Sequence, residues 1–554
     1  HLFFRSVRAL IADEVHAFAA SDRGWHLVAV LERLQRLCGQ RIQRIGLSAT
    51  VGNPEEVGRF LCGARDFSIV CVTVTKHHEI SVDFAGDSFE KQAAWVSRAV
   101  GRHESTLVFV NTRVTAEALG HKLYHRGDVE VHHGSLSKDV RIEAEERFRS
   151  GSVRALISTS SMELGIDIGR IEHVVQFGSP REVARLVQRV GRAGHQMDAV
   201  SRGTVLATGF DDLLESLVIA RRAKAGQVED VNIPLNAADV LANQVAALAV
   251  EYRELSRQRI RDIVERSYPF AVAGNLVDEV CTQMADHGLI RIEGDMVRSG
   301  GRSRRYLSSN LSMIHDERKV VVFDMVARKT VGTLDESFVV GFVHTGAVFI
   351  TKGQLWRVLD MEEGRIIVEP AKKAKGELPS WEGEQIPVPF SVAREVGSLR
   401  RSRDFSPYHP GERPLEFASR FLVEMDRNRS KVPHDTLITL ENAPEGVVCN
   451  VCAGHKANEA LARVLSILLS ARYGTTVGIE IDAYRIYLRL PSSVKAADVR
   501  VILCSLDPAH IEGVLQRAMK RTALFNWKMV QVEKKFGAID PDADYERIST
   551  HRLV

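Results

Sequence analysis

The sequence lacks the marks of a membrane protein and of a disulfide-stabilised secreted protein. No apolar run approaches the roughly 18 residues that a membrane-spanning helix needs. The longest candidate, Leu461–Leu469, is short and contains Arg463. The seven cysteines are odd in number and irregularly spaced, which argues against a disulfide framework. No charged-then-apolar start resembles a signal peptide. We therefore expect a cytoplasmic protein that makes no membrane contact.

The sequence also contains no Gly-Lys dipeptide. A phosphate-cradling loop has the form G-x-x-x-x-G-K-[S/T], in which the lysine contacts the phosphates and the hydroxyl contacts Mg²⁺. The chain begins at His1 rather than at methionine, shortly before its first acidic motif. We expect that this loop lies outside the given sequence and that the chain alone does not hydrolyse ATP.

Size and composition indicate an ordinary globular protein with several domains. The 554 residues are too many for one core, and 45% of them are hydrophobic and 26% charged. The formal net charge is only +3, so the total charge does not single out a nucleic-acid-binding protein. A groove can still be basic, because affinity for nucleic acid follows local phosphate contacts.

The first two hundred residues alternate short apolar runs with helix-like segments, which is typical of a parallel α/β sheet. The apolar runs predict strands that include Ile69–Val74, Thr106–Val110, Ala155–Ser158 and His173–Gln176, and the helix-like segments include Lys138–Phe148. The later chain changes character twice, first to helices ending in a hairpin at 289–297, then to Gly-rich strands from 318 to 400, one of which is predicted at Phe338–Val343. A further helix is predicted at Lys456–Ala471 from its apolar spacing. The predicted fold class is α/β, with two RecA-like motor domains, a winged helix and an accessory α+β region containing a β-barrel-like module. The predicted boundaries are 1–80 for part of the first motor domain, 81–215 for the second, 216–312 for the winged helix, 313–400 for the β-rich module and 401–554 for an α+β domain.

Two motifs near the start suggest a nucleotide site. Asp13, Glu14 and His16 belong to a DEVH sequence directly after an apolar strand. ATP hydrolysis needs one carboxylate to hold Mg²⁺, through water, and a second to orient the attacking water. Ser48 and Thr50 follow another apolar strand in the sequence SAT, where paired hydroxyls can bond the acidic motif and report nucleotide state. Taken singly, each motif is also compatible with a solvated turn or a helix cap.

The strongest motif is QRVGRAGH, which contains Gln188, Arg189 and Arg192. Guanidinium groups supplied by a neighbouring domain accelerate phosphoryl transfer by about 10³–10⁵. The two arginines lie three residues apart, on one face if the preceding helix continues this far. The alternative is a basic surface helix, which the two adjoining glycines fit poorly.

Further polar groups stand at the ends of intervening strands. The segment TSSMELGID leaves small hydroxyl residues and backbone amides available for phosphates. The candidates for nucleotide contact are Gly165 and Asp167, and those for a nucleic-acid backbone are Asn111, Arg113, Gly134, Ser135, Thr159 and Ser161.

Together these motifs are similar, in order and rough spacing, to those of superfamily 2 helicases. DEVH with SAT, SMELGID and QRVGRAGH resembles the large helicase-related (Lhr) family in particular, as do segments around 351–356, 378–384, 454–461 and 525–538. The resemblance covers nearly the whole chain. It implies an ATP- and Mg²⁺-dependent helicase that translocates 3′ to 5′ on DNA, a role in DNA repair and a place at the nucleoid.

Outside the motor motifs, three groups of residues draw attention. Trp381 lies among Gly and Pro neighbours, where an exposed indole can stack on any base; packing against the barrel is the alternative. For Trp356, within an apparent strand, we expect burial. Arg302 and Arg304 follow the hairpin and are candidates for phosphate contact, or for a solvated flexible loop.

Several interpretations stay open at this level. The motifs barely separate DNA from RNA, so an RNA helicase is an alternative to the DNA helicase. The partners are single-stranded DNA or a tailed duplex, with RNA or an RNA–DNA hybrid as the alternative, and we expect a monomer. A non-catalytic nucleic-acid clamp is a third interpretation. A zinc protein would rest on Cys449 and Cys452 alone, which we expect to be core thiols.

Overall fold

The computed structural model describes most of the chain. The described residues are 3–71, 78–123, 128–134, 136, 138–163, 169–194, 200–313, 319–335, 339, 343, 345–351, 354–362, 364–371, 386–428, 431–520, 522–540 and 543. None of the helices in these ranges combines the length and apolar character needed to cross a bilayer.

The first lobe, residues 3–71, is a small parallel α/β unit. Its elements are β1 Ala9–Ala12, α1 Val15–Ala19, α2 Asp22–Cys38, β2 Gln43–Gly46 and α3 Pro54–Cys62. The two strands pair in parallel, with Ala9 opposite Gln43. The predicted strand Ile69–Val74 is absent over residues 69–71, and its remainder lies outside the described residues.

The second lobe, residues 78–224, contains a six-stranded parallel sheet of order β3-β8-β7-β4-β6-β5. The strands are β3 His78–Phe84, β4 Thr106–Phe109, β5 Val129–His132, β6 Ala155–Ser158, β7 His173–Phe177 and β8 Ser201–Ala207. The helices are α4 Phe89–Arg102, α5 Arg113–Leu123, α6 Lys138–Arg149, α7 Val183–Val190 and α8 Phe210–Lys224. Strands β4 and β6 are buried at every position, as apolar strands covered by helices on both faces must be.

Residues 238–309 form a winged helix. The elements are α9 Ala238–Tyr252, β9 Glu254–Ser256, α10 Arg257–Val264, α11 Leu276–Asp286, β10 Ile290–Glu293, β11 Met296–Ser299 and α12 Ser303–Ser309. The predicted hairpin is present as β10 and β11, and β9 adds a third antiparallel strand beside β11. Its core is continuous with that of the first lobe, so the two units share one apolar interior.

The β-rich region is a five-stranded mixed sheet of order β13-β12-β16-β15-β14. Its strands are β12 Lys319–Asp324, β13 Lys329–Asp335, β14 Val348–Thr351, β15 Gln354–Glu362 and β16 Arg365–Pro370. A closed barrel would need β13 and β14 to pair, and the described strands leave these two at opposite edges. Trp356 is buried in this sheet, as predicted. The predicted strand Phe338–Val343 lies largely outside the described residues.

The remaining chain forms helices around a four-stranded sheet of order β17-β18-β20-β19. Its elements are α13 Phe390–Ser402, α14 Glu412–Asn428, β17 Thr439–Ala443, β18 Gly446–Asn450, α15 His455–Tyr473, β19 Gly478–Ile481, β20 Arg485–Arg489, α16 Ala496–Ser505, α17 Pro508–Met519 and α18 Ala523–Phe536. Helices α13 and α14 share the core of the second lobe rather than forming a separate one. Phe84 stacks on Phe417 with ring centroids 4.0 Å apart, which joins α14 to the parallel sheet.

Candidate nucleotide and nucleic-acid site

The acidic motif lies at the carboxyl end of β1, where a sharp turn leads into α1. Asp13 is exposed, and its Oδ1 accepts a hydrogen bond from the Glu14 amide at 2.9 Å. Glu14 adopts a left-handed backbone conformation with φ of 51° and ψ of 42°. Such a conformation is uncommon for a residue with a side chain, and backbone strain of this kind clusters at functional sites. The turn sets both carboxylates beside each other at the end of the strand.

Residues 47–53 form the loop between β2 and α3, contain the predicted Ser48 and Thr50, and lie directly beside this turn. We call them the coupling loop. Leu47 accepts a hydrogen bond from the Val15 amide at 2.9 Å, which ties the loop after β2 to the start of α1. Ser48 Oγ then lies 3.1 Å from His16 Nδ1. Thr50 is exposed at the end of the same loop. The structure thus brings the first two predicted motifs together.

A side-chain contact between the lobes joins these motifs to the third. Gln188 Nε2 lies 3.1 Å from His16 Nε2, across 172 positions of sequence. Glu14 Oε2 lies 3.5 Å from the same imidazole nitrogen. Burial lowers the pKa of His16, while the negative charges of Glu14 and Asp13 raise it by less. Burial therefore favours the neutral form of the His16 imidazole, which is held between the two lobes.

Arg189 is fully buried inside the second lobe. Its Nε donates to Glu163 Oε1 at 2.8 Å, and its Nη2 contacts the same oxygen. Its Nη1 donates to Gln176 Oε1 at 2.6 Å and to Asn111 Oδ1 at 3.1 Å. The guanidinium also lies 5.1 Å from the centre of the Phe109 ring. Every edge of this group is therefore engaged within its own lobe, although the sequence predicts contact with the nucleotide.

Arg192 is only half-buried and sits at the side of the second lobe that faces the acidic motif. Its Nη2 donates to the carbonyl of Glu163 at 2.6 Å. Burial lowers the pKa of Arg192, and the negative charge of Glu14 opposes that shift. Its Nε is buried and has no hydrogen-bond partner among the described residues. An unsatisfied buried donor within electrostatic reach of the first lobe's acid is suited to an anionic ligand.

Glu163 organises the arginines of this site, and the sequence reasoning did not select it. Its carboxylate binds Arg189 and, at 3.1 Å from Oε2, Arg185. Its carbonyl holds Arg192. A signal was present, because Arg185, Arg189 and Arg192 recur at helical spacing and one acid, Glu163, stands in the neighbouring SMELGID motif.

Four of the residues predicted to bind the nucleic-acid backbone lie near the ends of strands in the second lobe. Asn111 uses both ends of its amide within the lobe, since its Nδ2 donates to the Ser179 carbonyl at 2.7 Å. Thr159 is buried, whereas Gly134 is exposed with open space around its Cα. Arg113 begins α5 and is half-exposed.

Ser161 Oγ lies 2.8 Å from His132 Nδ1, so its hydroxyl is engaged inside the lobe. The other four candidate positions lie outside the described residues: Ser135, Gly165, Asp167 and Trp381.

The basic segment after the hairpin is structured, contrary to the expected flexible loop. Arg298 belongs to β11 and pairs with Glu254, with Nη2 and Oε1 3.0 Å apart. Arg302 donates to the His287 carbonyl at 2.8 Å, and Arg304 is exposed on the short helix α12. The sequence missed this helix because Gly and Ser neighbours suggested a coil. Both predicted arginines remain available at the surface of the winged helix.

Cys449 and Cys452 are both buried. Burial raises the pKa of Cys449 to about 12 and raises that of Cys452, which disfavours the thiolate that zinc requires. His455, the next candidate ligand, instead accepts a hydrogen bond from the Val388 amide at 3.0 Å. Within the described ranges, no group of three His, Cys, Asp or Glu residues is placed to hold a metal. The cysteines are core thiols.

Comparison with known proteins agrees with this geometry. Residues 91–196 match the helicase conserved C-terminal domain, and residues 432–554 match the DEAD/H associated domain. The chain is 32% identical to the ATP-dependent helicase Lhr-Core protein 2 of Thermococcus barophilus over 96% of its own length and 67% of that protein. The chain belongs to the Lhr family of superfamily 2 helicases. This confirms the family predicted from the motifs.

Two further Lhr proteins that the chain matches are longer than the chain itself. The Lhr helicase/probable uracil glycosylase of Mycolicibacterium smegmatis is 30% identical over 94% of this chain and 39% of that protein. The structure of Mycobacterium smegmatis helicase Lhr bound to ssDNA and AMP-PNP is similar with a TM-score of 0.74 and 28% identity, covering 96% of this chain and 69% of that one. The chain therefore spans about two thirds of the Thermococcus barophilus protein and under half of the Mycolicibacterium smegmatis protein. The comparison also confirms the predicted α/β fold class.

Proposed function

We propose that the gene product containing this chain is an ATP-dependent DNA helicase that moves 3′ to 5′ along single-stranded DNA and acts in DNA repair. The contact between Gln188 and His16 carries this proposal, because it joins the arginine-bearing segment of one lobe to the acidic motif of the other. Lhr relatives are named ATP-dependent helicases, and one is described with ssDNA and AMP-PNP bound. We also propose a monomeric, nucleoid-associated protein and the five parts predicted from the sequence, with α8 kept whole in the second lobe and with α13 and α14 assigned to the core of that lobe.

In this proposal the nucleotide lies between the lobes. Asp13 and Glu14 offer exposed or half-exposed carboxylate oxygens, the ligand type that Mg²⁺ prefers, and Asp13 would hold the ion through water. Bound Mg²⁺ supplies positive charge to the phosphates. Glu14 orients the attacking water. Gly165 and Asp167 contact the nucleotide.

Of the two arginines, we propose that Arg192 reaches the γ-phosphate and that Arg189 positions it through Glu163. Charge spreads over the γ-phosphate oxygens in the transition state, so a guanidinium with an unsatisfied N–H is suited to bind there. Arg189 has no free edge for that task. Ser48 and Thr50 report nucleotide state through His16, whose Nδ1 lies against Ser48 Oγ.

In this proposal the protein binds the nucleic acid mainly through the sugar-phosphate backbone. The residues proposed for this contact are Asn111, Arg113, Gly134, Ser135, Thr159, Ser161, Arg302 and Arg304, while Trp381 is proposed to stack on a base. The side chains of Asn111 and Ser161 already form hydrogen bonds within the second lobe. We therefore expect them to aid nucleic-acid binding indirectly, by positioning neighbouring main-chain groups of the protein.

The proposal is tested by ATP turnover of the intact gene product with excess single-stranded DNA, single-stranded RNA or neither. We expect DNA to stimulate turnover more than RNA does, and Glu14→Gln to abolish it. The exposed Glu90→Gln serves as the matched control and keeps full turnover. Stimulation by RNA alone would instead assign an RNA helicase, and no turnover with either would leave a binding clamp. The 554-residue chain, which has no Gly-Lys dipeptide, is expected to bind DNA without hydrolysing ATP.

A further inference from the structure

The segment that connects the second lobe to the winged helix caps the arginine-bearing helix. Helix α7 begins at Val183, and its own N-cap residue, Glu182, makes no side-chain cap hydrogen bond. Instead Glu229, 46 residues further along, accepts from the Val183 amide at 2.7 Å through Oε1. Its Oε2 accepts from the Ala184 amide at 3.0 Å. A carboxylate at the N-terminus of a helix accepts hydrogen bonds from two otherwise unpaired N–H groups and interacts favourably with the positive end of the helix dipole.

The same residue also contacts the first lobe. The Glu229 carbonyl accepts a hydrogen bond from the Gly52 amide at 3.0 Å, two residues after Thr50. Next to it, Asn53 Oδ1 accepts from the Val231 amide at 2.7 Å, and Asn53 Nδ2 donates to the Val231 carbonyl at 2.9 Å. Three hydrogen bonds therefore fix the connecting segment to the coupling loop.

The approach between the two segments is too close for a side chain at Gly52. A Cβ atom there would lie 2.7 Å from the Val228 carbonyl oxygen and would also collide with Asp230 Oδ1. Residues 228–231, which we call the strap, therefore press directly on the backbone of the coupling loop. The backbone conformation of Gly52 is one that alanine also adopts. Glycine is therefore required here only because there is no space for a Cβ atom.

We propose that Glu229 is a positioning residue that couples the coupling loop of the first lobe to the arginine-bearing helix of the second. Its carbonyl and its carboxylate belong to one residue, so a shift of the loop moves the N-terminus of α7 or breaks a hydrogen bond. Helix α7 carries Gln188 and Arg189 and leads into Arg192. This inference rests on the proposed function and adds a second mechanical connection beside the contact between Gln188 and His16.

The two ends of the strap can be broken separately in the intact gene product. Glu229→Gln removes the charge and one acceptor at the α7 end, and Gly52→Ala displaces the strap at the loop end. Each is expected to lower the DNA-stimulated kcat for ATP by about tenfold, which is an ordinary size for coupling between sites. The KM for ATP should change by less than about twofold, because neither residue is among those proposed to contact the nucleotide. Glu79→Gln, which removes the charge of an exposed partner of Arg202, is the matched control.

The double variant gives the decisive comparison. If both substitutions break one connection, Glu229→Gln with Gly52→Ala should be no slower than the slower single variant. Effects on kcat that multiply, or unchanged kcat in both single variants, would overturn the proposal. If Glu229→Gln does not fold, Glu229→Asp, which keeps the charge but shortens the side chain, takes its place in the same comparison.

Amide hydrogen exchange on the 554-residue chain tests the coupling without any turnover. Gly52→Ala should accelerate exchange of the Val183 and Ala184 amides in the other lobe, while Glu79→Gln leaves it unchanged. Unaltered exchange at these two amides would overturn the strap proposal even if the helicase activity is established. Accelerated exchange in the 554-residue chain, together with an intact gene product that shows no ATP turnover, would uphold the strap and refute the proposed function.

Discussion

The hydroxyl of Tyr484 donates a hydrogen bond to Glu215 Oε2 at 2.7 Å, although 269 residues separate the two. Glu215 lies on α8 in the second lobe and is completely buried, and Tyr484 precedes β20 in the C-terminal region. Arg181 reaches the other oxygen of the same carboxylate at 3.2 Å. Since Arg181 precedes helix α7 by two residues, this buried contact ties the C-terminal region to the base of the arginine-bearing helix.

Substitution of Tyr484 should therefore destabilise the junction between the second lobe and the C-terminal region. Tyr484→Phe removes the shorter of the two hydrogen bonds to Glu215 Oε2 and leaves this buried oxygen only the 3.5 Å contact with Arg181 Nη1, which costs about 1–3 kcal/mol. Denaturant unfolding of the 554-residue chain measures this loss. Tyr487→Phe, a half-buried tyrosine on β20, serves as the control and should change stability by less than about 0.5 kcal/mol. Equal effects of the two substitutions would contradict the assigned contact.

Substitution of the two arginines of the QRVGRAGH motif should affect different properties: ATP turnover for Arg192 and stability for Arg189. Arg192→Gln is expected to preserve the melting temperature and to lower ATP turnover of the intact gene product by about 10³-fold or more. Arg189→Gln removes one partner of a buried ion pair and should cost about 3–5 kcal/mol of stability. Thermal unfolding and steady-state turnover are measured on both variants. The exposed Arg202→Gln is the control, and a destabilised Arg192→Gln with a stable Arg189→Gln would reverse the assignment.

His16 should titrate below the ordinary histidine range. The neutral imidazole forms an ordered chain in which Gln188 donates to Nε2, Nδ1 donates to Ser48 Oγ and Ser48 donates to the Ala49 carbonyl at 2.8 Å. Because burial lowers the folded-state pKa below 6.5, this contribution to stability is complete above that pH. It is lost as the pH falls from 6.5 through the folded-state value.

Nuclear magnetic resonance titration of the His16 imidazole in the 554-residue chain checks this prediction. A blocked histidine peptide titrated in the same buffer provides the reference. A His16 midpoint at or above that of the reference peptide would show that the neighbouring carboxylates outweigh burial.

The cysteines should separate into two reactivity classes. Cys71 and Cys504 are exposed, whereas the raised pKa and burial of Cys449 and Cys452 keep them as unreactive thiols. Alkylation with iodoacetamide at pH 7.5, followed by mass spectrometry, should modify the first pair and spare the second until the protein unfolds. One equivalent of zinc whose chelation exposes Cys449 and Cys452 would contradict the core-thiol assignment.

Strand separation is expected to proceed by exclusion of one strand. Strand β7 ends at Phe177 and α7 begins at Val183, so only residues 178–182 connect them. Five residues cannot form a long strand-splitting hairpin at this place. Unwinding of a 3′-tailed duplex should stop at a streptavidin block on the tracked strand and should continue past the same block on the displaced strand. Arrest by both blocks would contradict exclusion.

The sequence predicted the motor elements because their signals are local. Apolar runs followed by polar residues identified β4, β6 and β7 to within a residue, since a strand buried on both faces must be continuously apolar. Helices α6 and α15 were also close to their predicted bounds. The predicted strand at 69–74 failed over 69–71, where Val70 is 84% exposed and therefore lacks the packing that an apolar run needs.

The sequence by itself determined the order of motifs, the family and the chemical types at the site, because those depend on residue identity and spacing along one strand or helix. Only the tertiary structure decided which arginine is free, since Arg189 and Arg192 differ in neither residue type nor motif. Burial against Glu163, Gln176 and Asn111 separates them, and these partners lie 13 to 78 positions away. The strap likewise depends on Glu229 meeting Gly52 and α7 at once, a relation between three distant segments that no local pattern encodes.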